Sequence, residues 1–186
     1  MKKLLVLVMV ALFGGPLIAA EMGDDGLHKA PWMRDTFKDL REDLGEANAE
    51  GKRLLLLIEQ RGCIYCRKMH EEVFNQPEIA QFIEQKYFVV QINMFGDVEV
   101  IDFDGQAMTE KDIVKRWGAL FTPNMIFLPQ EVNEGQTAVQ AAVANMPGAF
   151  GKHTTLNLLS WVLEKGYDGE EPFQKYHARK FAEQSQ

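Results

Sequence analysis

Apolar and polar positions along this chain fall into blocks whose period changes from one block to the next. Residues 53–60, "RLLLLIEQ", are apolar at successive positions and too short for a lone helix, the pattern of a strand buried on both faces. Before it, Phe37, Leu40, Leu44 and Ala47 recur at helical spacing, predicting a helix over 35–50 that stops at Gly51. After it, "CRKMHEEVF" predicts a helix with Met69 and Val73 on one face. Pro77 kinks or restarts that helix, and Ile79, Phe82 and Ile83 face inward beyond it. "YFVVQINM" (87–94) reads as the next strand, and "VEVIDFDG" (98–105) as a strand or hairpin arm ending in the turn pair Asp104-Gly105. Thr109 with Asp112 resembles a helix cap leading into "EKDIVKRW". "NMIFL" (124–128) predicts a strand, "NEG" (133–135) a turn, and "TAVQAAVA" (137–144) its antiparallel partner. Leu156, Leu159 and Leu163 mark a helix ending near Gly166, and a last helix docks through Phe173 and Tyr176. This order of helices and strands implies one sheet covered on both faces.

The first 20 residues have another use. "MKK", the apolar run "LLVLVMVALF" and the small residues of "GGPLIAA" form the layout of a secretory signal cleaved after Ala20. The ten-residue apolar run is short for a membrane span of about 20 residues; an uncleaved anchor is the competing reading. Residues 21–34 read as a polar lead-in. The rest of the chain suits a single domain with one sizeable core. With 20 Lys and Arg against 27 Asp and Glu, the net charge is −7, which disfavours nucleic acid as a partner.

Export bears on the two cysteines, Cys63 and Cys66, in "RGCIYCRKMH" (61–70). Outside the cytoplasm thiols meet an oxidising environment, and this spacing serves a staple, a metal site or a redox centre. A bridge across so short a loop contributes little stability by loop closure. A c-type haem site needs His directly after the second cysteine, where Arg67 stands. Zinc needs four ligands; His70 lies four residues beyond Cys66, but His28, His153 and His177 are scattered. A redox pair is the reading the surroundings favour. Cys63 sits at a strand end and a helix start, where unpaired N–H groups favour thiolate over thiol and lower the pKa from about 8.5. Cys63 is therefore the expected nucleophile and Cys66 the resolving thiol, a chemistry that uses no cofactor and no metal. Arg67 and Lys68 add positive field or are solvated surface charges. His70 is expected to be an exposed helix residue rather than a catalytic base.

Three further positions bear on the site. Glu59, the acid nearest the motif on the strand side, either relays the proton that Cys66 loses or is a solvated carboxylate at a strand end. Tyr65 is expected to line the contact surface. In "GALFTPNMIFL" (118–128), Pro123 enters a predicted strand, where a proline is misplaced in a central ladder. A cis Thr122–Pro123 bond makes it intelligible and frees the backbone of Thr122 for an extended partner; an ordinary trans proline at a strand start is the alternative.

Together these residues resemble the thioredoxin superfamily over about 35–166. The narrower likeness, carried by "EQRGCIYCRKMHEEVF", "DFDG", "RWGALFTPNMIFL", "MPGAF" and "EKGYDGEEPFQKY", is to exported thioredoxin-like proteins of the SoxW type found with sulfur-oxidation systems. The resemblance implies an α/β thioredoxin-like fold, with a central mixed β-sheet flanked by helices on both faces and extra N- and C-terminal helical segments. It divides the chain into a signal peptide (1–20), the lead-in (21–34), a thioredoxin-like domain (35–166) and a helical extension (167–186). Cys63 and Cys66 are then the redox pair, with Pro123 the facing cis-proline and Thr122 offering its backbone to substrates. The implied function is a periplasmic thiol–disulfide oxidoreductase, a monomer acting on protein thiols and disulfides and supplied by a membrane thiol carrier of the DsbD or CcdA kind. A thiol oxidase or disulfide isomerase is the enzymatic alternative, and a peptide- or metal-binding module the alternative of another class. The sequence departs from ordinary thioredoxins in two places. Gly62-Cys63-Ile64-Tyr65-Cys66 replaces W-C-G-P-C, and Leu57 stands where the family has a buried aspartate.

Overall fold

A computed structural model describes residues 21–184; the expected signal segment, 1–20, lies outside them. The chain runs through β1 (Glu21–Met22), β2 (His28–Lys29), β3 (Met33–Arg34), α1 (Leu40–Ala49), β4 (Arg53–Glu59), α2 (Ile64–Met69), α3 (Pro77–Lys86) and β5 (Tyr87–Asn93). It continues with β6 (Glu99–Ile101), β7 (Ala107–Thr109), α4 (Glu110–Arg116), β8 (Asn124–Phe127), α5 (Ala138–Ala141), β9 (Ala144–Pro147), α6 (Lys152–Leu163) and α7 (Phe173–Gln184).

Five strands form the central sheet in the order β3-β5-β4-β8-β9. β3, β5 and β4 run parallel, while β8 is antiparallel to β4 and β9 antiparallel to β8. Every residue of β4 is buried, because successive side chains enter opposite layers. Leu55 and Leu57 pack with Met69, Phe74, Trp161 and Tyr176 on one face. Leu54, Leu56 and Ile58 pack with Leu40, Phe103, Ile113 and Trp117 on the other. The continuous apolar run is thus the signature of a strand that serves two cores at once. Phe173 and Tyr176 dock α7 on the first core, as their spacing predicts.

Local chemistry decides where three elements begin. Asp39 caps α1 by accepting from the N–H groups of Arg41 and Glu42. Lys38 just before it has φ 58°, a left-handed conformation that a helix cannot continue through. The helix expected over 35–50 therefore starts at Leu40, and Phe37 is 95% exposed instead of joining the inward face. Pro77 stands at the first position of α3, and the turn before it, His70–Phe74, is widened to a π-type turn. The segment 137–144 is not the predicted strand. Thr137 and Gln140 form a reciprocal capping box that starts α5, and the buried Asp102 carboxylate accepts from the N–H of Ala138. The antiparallel partner of β8 is β9, which begins only at Ala144.

Residues 21–34 take part in the architecture. β1 and β2 make a small antiparallel hairpin, Trp32 enters the core, and β3 is the edge strand beside β5. Among the described residues no helix is long and apolar enough to cross a membrane.

Candidate active site

Strand β4 ends at Glu59, and a short loop carries the chain to Cys63, the N-cap of α2. Gly62 adopts φ 71° there, a conformation that glycine reaches without a Cβ penalty. Cys63 Sγ accepts from the backbone N–H of Cys66 at 2.9 Å, so the cysteine occupies a position usually held by a hydroxyl or carboxylate cap. The two cysteines are joined as a disulfide with their Cα atoms 5.2 Å apart. Cys66 is buried at 1% exposure, whereas Cys63 is half-buried. That asymmetry is what an outer attacking sulfur and an inner resolving sulfur require.

The loop before β8 supplies the facing wall. The Thr122–Pro123 peptide is cis. Thr122 Oγ1 donates to Cys63 Sγ at 3.3 Å, and the Thr122 carbonyl oxygen lies 3.6 Å from the same sulfur. The cis bond to Pro123 thus brings the hydroxyl and carbonyl of Thr122 beside Cys63. Ile64, Tyr65, Leu120 and Phe121, which border the cysteines and Thr122 in sequence, are all exposed.

The chain's match to a family model covers residues 40–149 and is to the thioredoxin-like domain. The chain belongs to the thioredoxin-like family. No curated protein sequence matches it. Among solved structures, a thioredoxin-fold protein from Helicobacter pylori is 15% identical, with 71% of this chain and 81% of that one covered at a TM-score of 0.55. A thioredoxin from Thermus thermophilus is 20% identical, with 69% and 86% covered at a TM-score of 0.53. At these identities the likeness is one of fold.

Beneath its redox pair this thioredoxin-like domain carries a polar cluster. Glu59 is not a solvated carboxylate: it is 1% exposed, accepts from Gln91 Nε2 at 2.6 Å and lies 3.0 Å from His70 Nε2. His70 is likewise not the exposed helix residue expected from its neighbours Arg67, Lys68, Glu71 and Glu72. It is 2% exposed, enclosed by Trp32, Phe74 and the stacked ring of His28 at 4.8 Å. Gln91 in turn accepts from Lys29 Nζ at 2.6 Å. Burial, reinforced by His70, holds the pKa of His28 below its ordinary value of 6.5. On sequence alone His28 and His70 read as scattered or exposed, and Gln91 is not singled out. Two signals point to them: His70 falls one helical turn after Cys66, and Gln91 is a lone polar residue inside the apolar strand "YFVVQINM".

Two cavities flank the site. A recess of about 150 Å³ is lined by Cys63, Gly62 and Ile64 together with Met22, Gly26 and His28 of the N-terminal hairpin. A larger cleft of about 650 Å³ adjoins β3 and β5; in its lining Lys29 pairs with Asp25 and Lys38 with Glu110. Among the described residues no group of three or more His, Cys, Asp or Glu is placed to hold a metal ion.

Proposed function

We propose that this protein is a periplasmic thiol–disulfide oxidoreductase that works mainly as a reductant of protein disulfides or sulfur-modified cysteines. The observation that carries the reading is the pairing of a half-buried helix-capping Cys63 with Thr122 across the site, above a buried Cys66. The Cys63 thiolate attacks one sulfur of a partner disulfide, forming a mixed disulfide and releasing the first partner thiolate, which takes up a proton. Cys66 then loses its proton and attacks Cys63 Sγ, closing the Cys63–Cys66 bond and releasing the second partner thiol. The partner is reduced by two electrons and the Cys63–Cys66 dithiol is oxidised by two.

The periplasmic location rests on the signal-like order of residues 1–20. Resupply of electrons by a membrane thiol carrier of the DsbD or CcdA kind, the SoxW-type assignment and action as a monomer rest on the resemblance of the quoted motifs.

Reduced protein is expected to cleave insulin disulfides. Cys63→Ala should be inactive, and Cys66→Ala should accumulate a mixed disulfide with its partner. A Cys63→Ala variant that still reduces insulin would overturn the reading. A Cys66→Ala variant that traps nothing while peptides bind without any thiol exchange would favour a binding module.

A further inference from the structure

We propose that His70, oriented by Glu59, is the general base that removes the proton from Cys66 when it resolves the mixed disulfide. The proposal rests on the oxidoreductase reading and names residues that carry its second step.

Position is the first argument. The backbone N–H of His70 bonds the carbonyl of Cys66, so the two residues stand one turn apart on one face of the redox helix, where Cβ atoms are about 5–6 Å apart. Both side chains are buried on that face. The other buried acids among the described residues, Asp43, Asp102 and Glu110, belong to α1, the β6–β7 hairpin and α4. Those elements pack in the opposite layer with Leu40, Val100 and Ile113. Leu57, on the Cys66 side of β4, offers no proton acceptor.

Hydrogen bonding is the second. Glu59 Oε1 lies 3.0 Å and Oε2 3.3 Å from His70 Nε2, and Gln91 donates to the same carboxylate. A carboxylate on Nε2 keeps the proton on that nitrogen and leaves the lone pair on Nδ1. His70 Nδ1 is buried and has no hydrogen-bond partner among the described residues. A buried acceptor left unsatisfied in the resting state costs stability, which becomes intelligible if the nitrogen is used in a step of the reaction. In that step the Cys66 S–H bond breaks and Nδ1 takes the proton. Glu59 stabilises the resulting imidazolium, and the Cys66 electron pair forms the bond to Cys63 Sγ as the partner thiolate departs.

The proton then has a way out. The His28 ring stacks on His70 and lines the recess that also holds Cys63, so it stands between the buried base and the place where the partner thiolate leaves. The groups facing this pair are Glu59 from β4, Gln91 from β5 with Lys29 behind it, and Arg67 and Glu71 from the redox helix and its continuation. With its pKa held low by burial, His28 is neutral at pH 7 and adds no second positive charge beside a protonated His70.

The test mixes reduced full-length protein with dithiobis(nitrobenzoate) in a stopped-flow instrument. The first coloured thiolate reports attack by Cys63 and the second reports resolution by Cys66. The departing thiolate needs no proton, so the second phase isolates the deprotonation of Cys66. His70→Gln and Glu59→Gln are expected to slow the second phase about tenfold or more at pH 7, toward the range of general-base effects, and to move its pH profile upward. The first phase should change by less than about twofold. His28→Ala should slow the second phase less, and added imidazole, entering the open recess, should restore it. A wild-type protein lacking a Cys66-dependent second phase would sink the oxidoreductase reading itself. A wild type that resolves normally, with the second phase and its pH profile unchanged in Glu59→Gln and in folded His70→Gln, would overturn the base while leaving that reading intact. Should His70→Gln fail to fold, the near-isosteric Glu59→Gln decides alone.

Discussion

Thr122 Oγ1 lies 3.3 Å from Cys63 Sγ although 59 residues separate them in the chain. The strand ladder begins at Asn124, so Thr122 stands just ahead of it with hydroxyl and carbonyl both beside the sulfur. In the reduced protein the hydroxyl is placed to donate to a thiolate, as is the Cys66 N–H. Hydrogen bonds to a charged acceptor contribute about 1.5–3 kcal/mol. Thr122→Val keeps the shape and removes the donor. Iodoacetamide labelling of Cys63 against pH should therefore move to higher pH in the variant and slow several-fold at pH 7, while Cys66 remains the slower cysteine in both proteins. An unchanged profile would mean that the hydroxyl turns away once the disulfide opens.

The exposed apolar side chains around the redox pair give a second expectation. Ile64 (62%), Tyr65 (57%) and Phe121 (64%) are open to solvent although large, and each adjoins Cys63, Cys66 or Thr122 in sequence. Covering an aromatic side chain on binding is worth about 1.5–3 kcal/mol at most. Phe121→Ser should therefore raise KM for a protein disulfide about tenfold while leaving the reaction with a small aromatic disulfide within about twofold. Equal loss on both substrates would show that the residue supports the site instead of the partner.

What the sequence disclosed about this molecule followed the range of the interactions involved. β4 was legible because an unbroken apolar run over 54–58, too short for a lone helix, admits few other readings. The cysteine pair was legible because Cys63 and Cys66 sit at a strand-to-helix junction, where local geometry already specifies an outer and an inner sulfur. The burial of His70 was not legible, because it depends on Glu59 from β4, Gln91 from β5 and His28 from the hairpin, which only the folded chain brings together. The segment 137–144 was misread for the same reason: following the turn at 133–135 it suits a returning strand, but the start of α5 is held by a carboxylate 36 residues away, Asp102. Phe37 was misplaced by a single left-handed residue, Lys38.

Asp43 supplies a prediction about stability. Burial, with Glu46, Asp39 and Glu42 nearby, raises its pKa from 3.8 to about 6 against the opposing bond from Thr36. One of its oxygens is buried without a hydrogen-bond partner among the described residues. Because the folded pKa lies above the unfolded one, the folded chain binds the proton more tightly. The group therefore favours folding below pH 3.8 relative to its ionised form, and that advantage is lost as pH rises through about 6. Asp43→Asn imitates the protonated form. It should stabilise the protein at pH 7.5, by about 1–2 kcal/mol once solvent screening is allowed for, and the gain should shrink steadily between pH 6 and 4. Urea titrations at three pH values would show it; a gain that does not depend on pH would assign the effect to something other than ionisation.

The direction of electron flow follows from how strongly the site favours a thiolate at Cys63. A strong oxidant needs an exceptionally stable reduced state, commonly through a very low thiolate pKa. Here the donors are the Cys66 N–H and the Thr122 hydroxyl. Arg67, 60% exposed in its side chain and 4.0 Å from Glu71, adds only a screened charge. Ile64 and Tyr65 between the cysteines bring no cation. Apolar Leu55 and Leu57 pack on the same face of the sheet as the redox helix, and the carboxylate of Glu59 lies buried on that face as well; both oppose an additional negative charge. The balance predicts a couple near the thioredoxin end of the range, about −270 mV, and not near the oxidant end at about −120 mV. Since about 30 mV corresponds to 1.4 kcal/mol for two electrons, equilibration with a reference dithiol separates the two. The expected outcome is a potential within about 40 mV of the thioredoxin value, with Glu59→Gln shifted toward oxidising values because it removes the opposing charge. A wild-type potential near −130 mV, together with rapid oxidation of a reduced unfolded protein, would reverse the assignment and make the protein a source of disulfides.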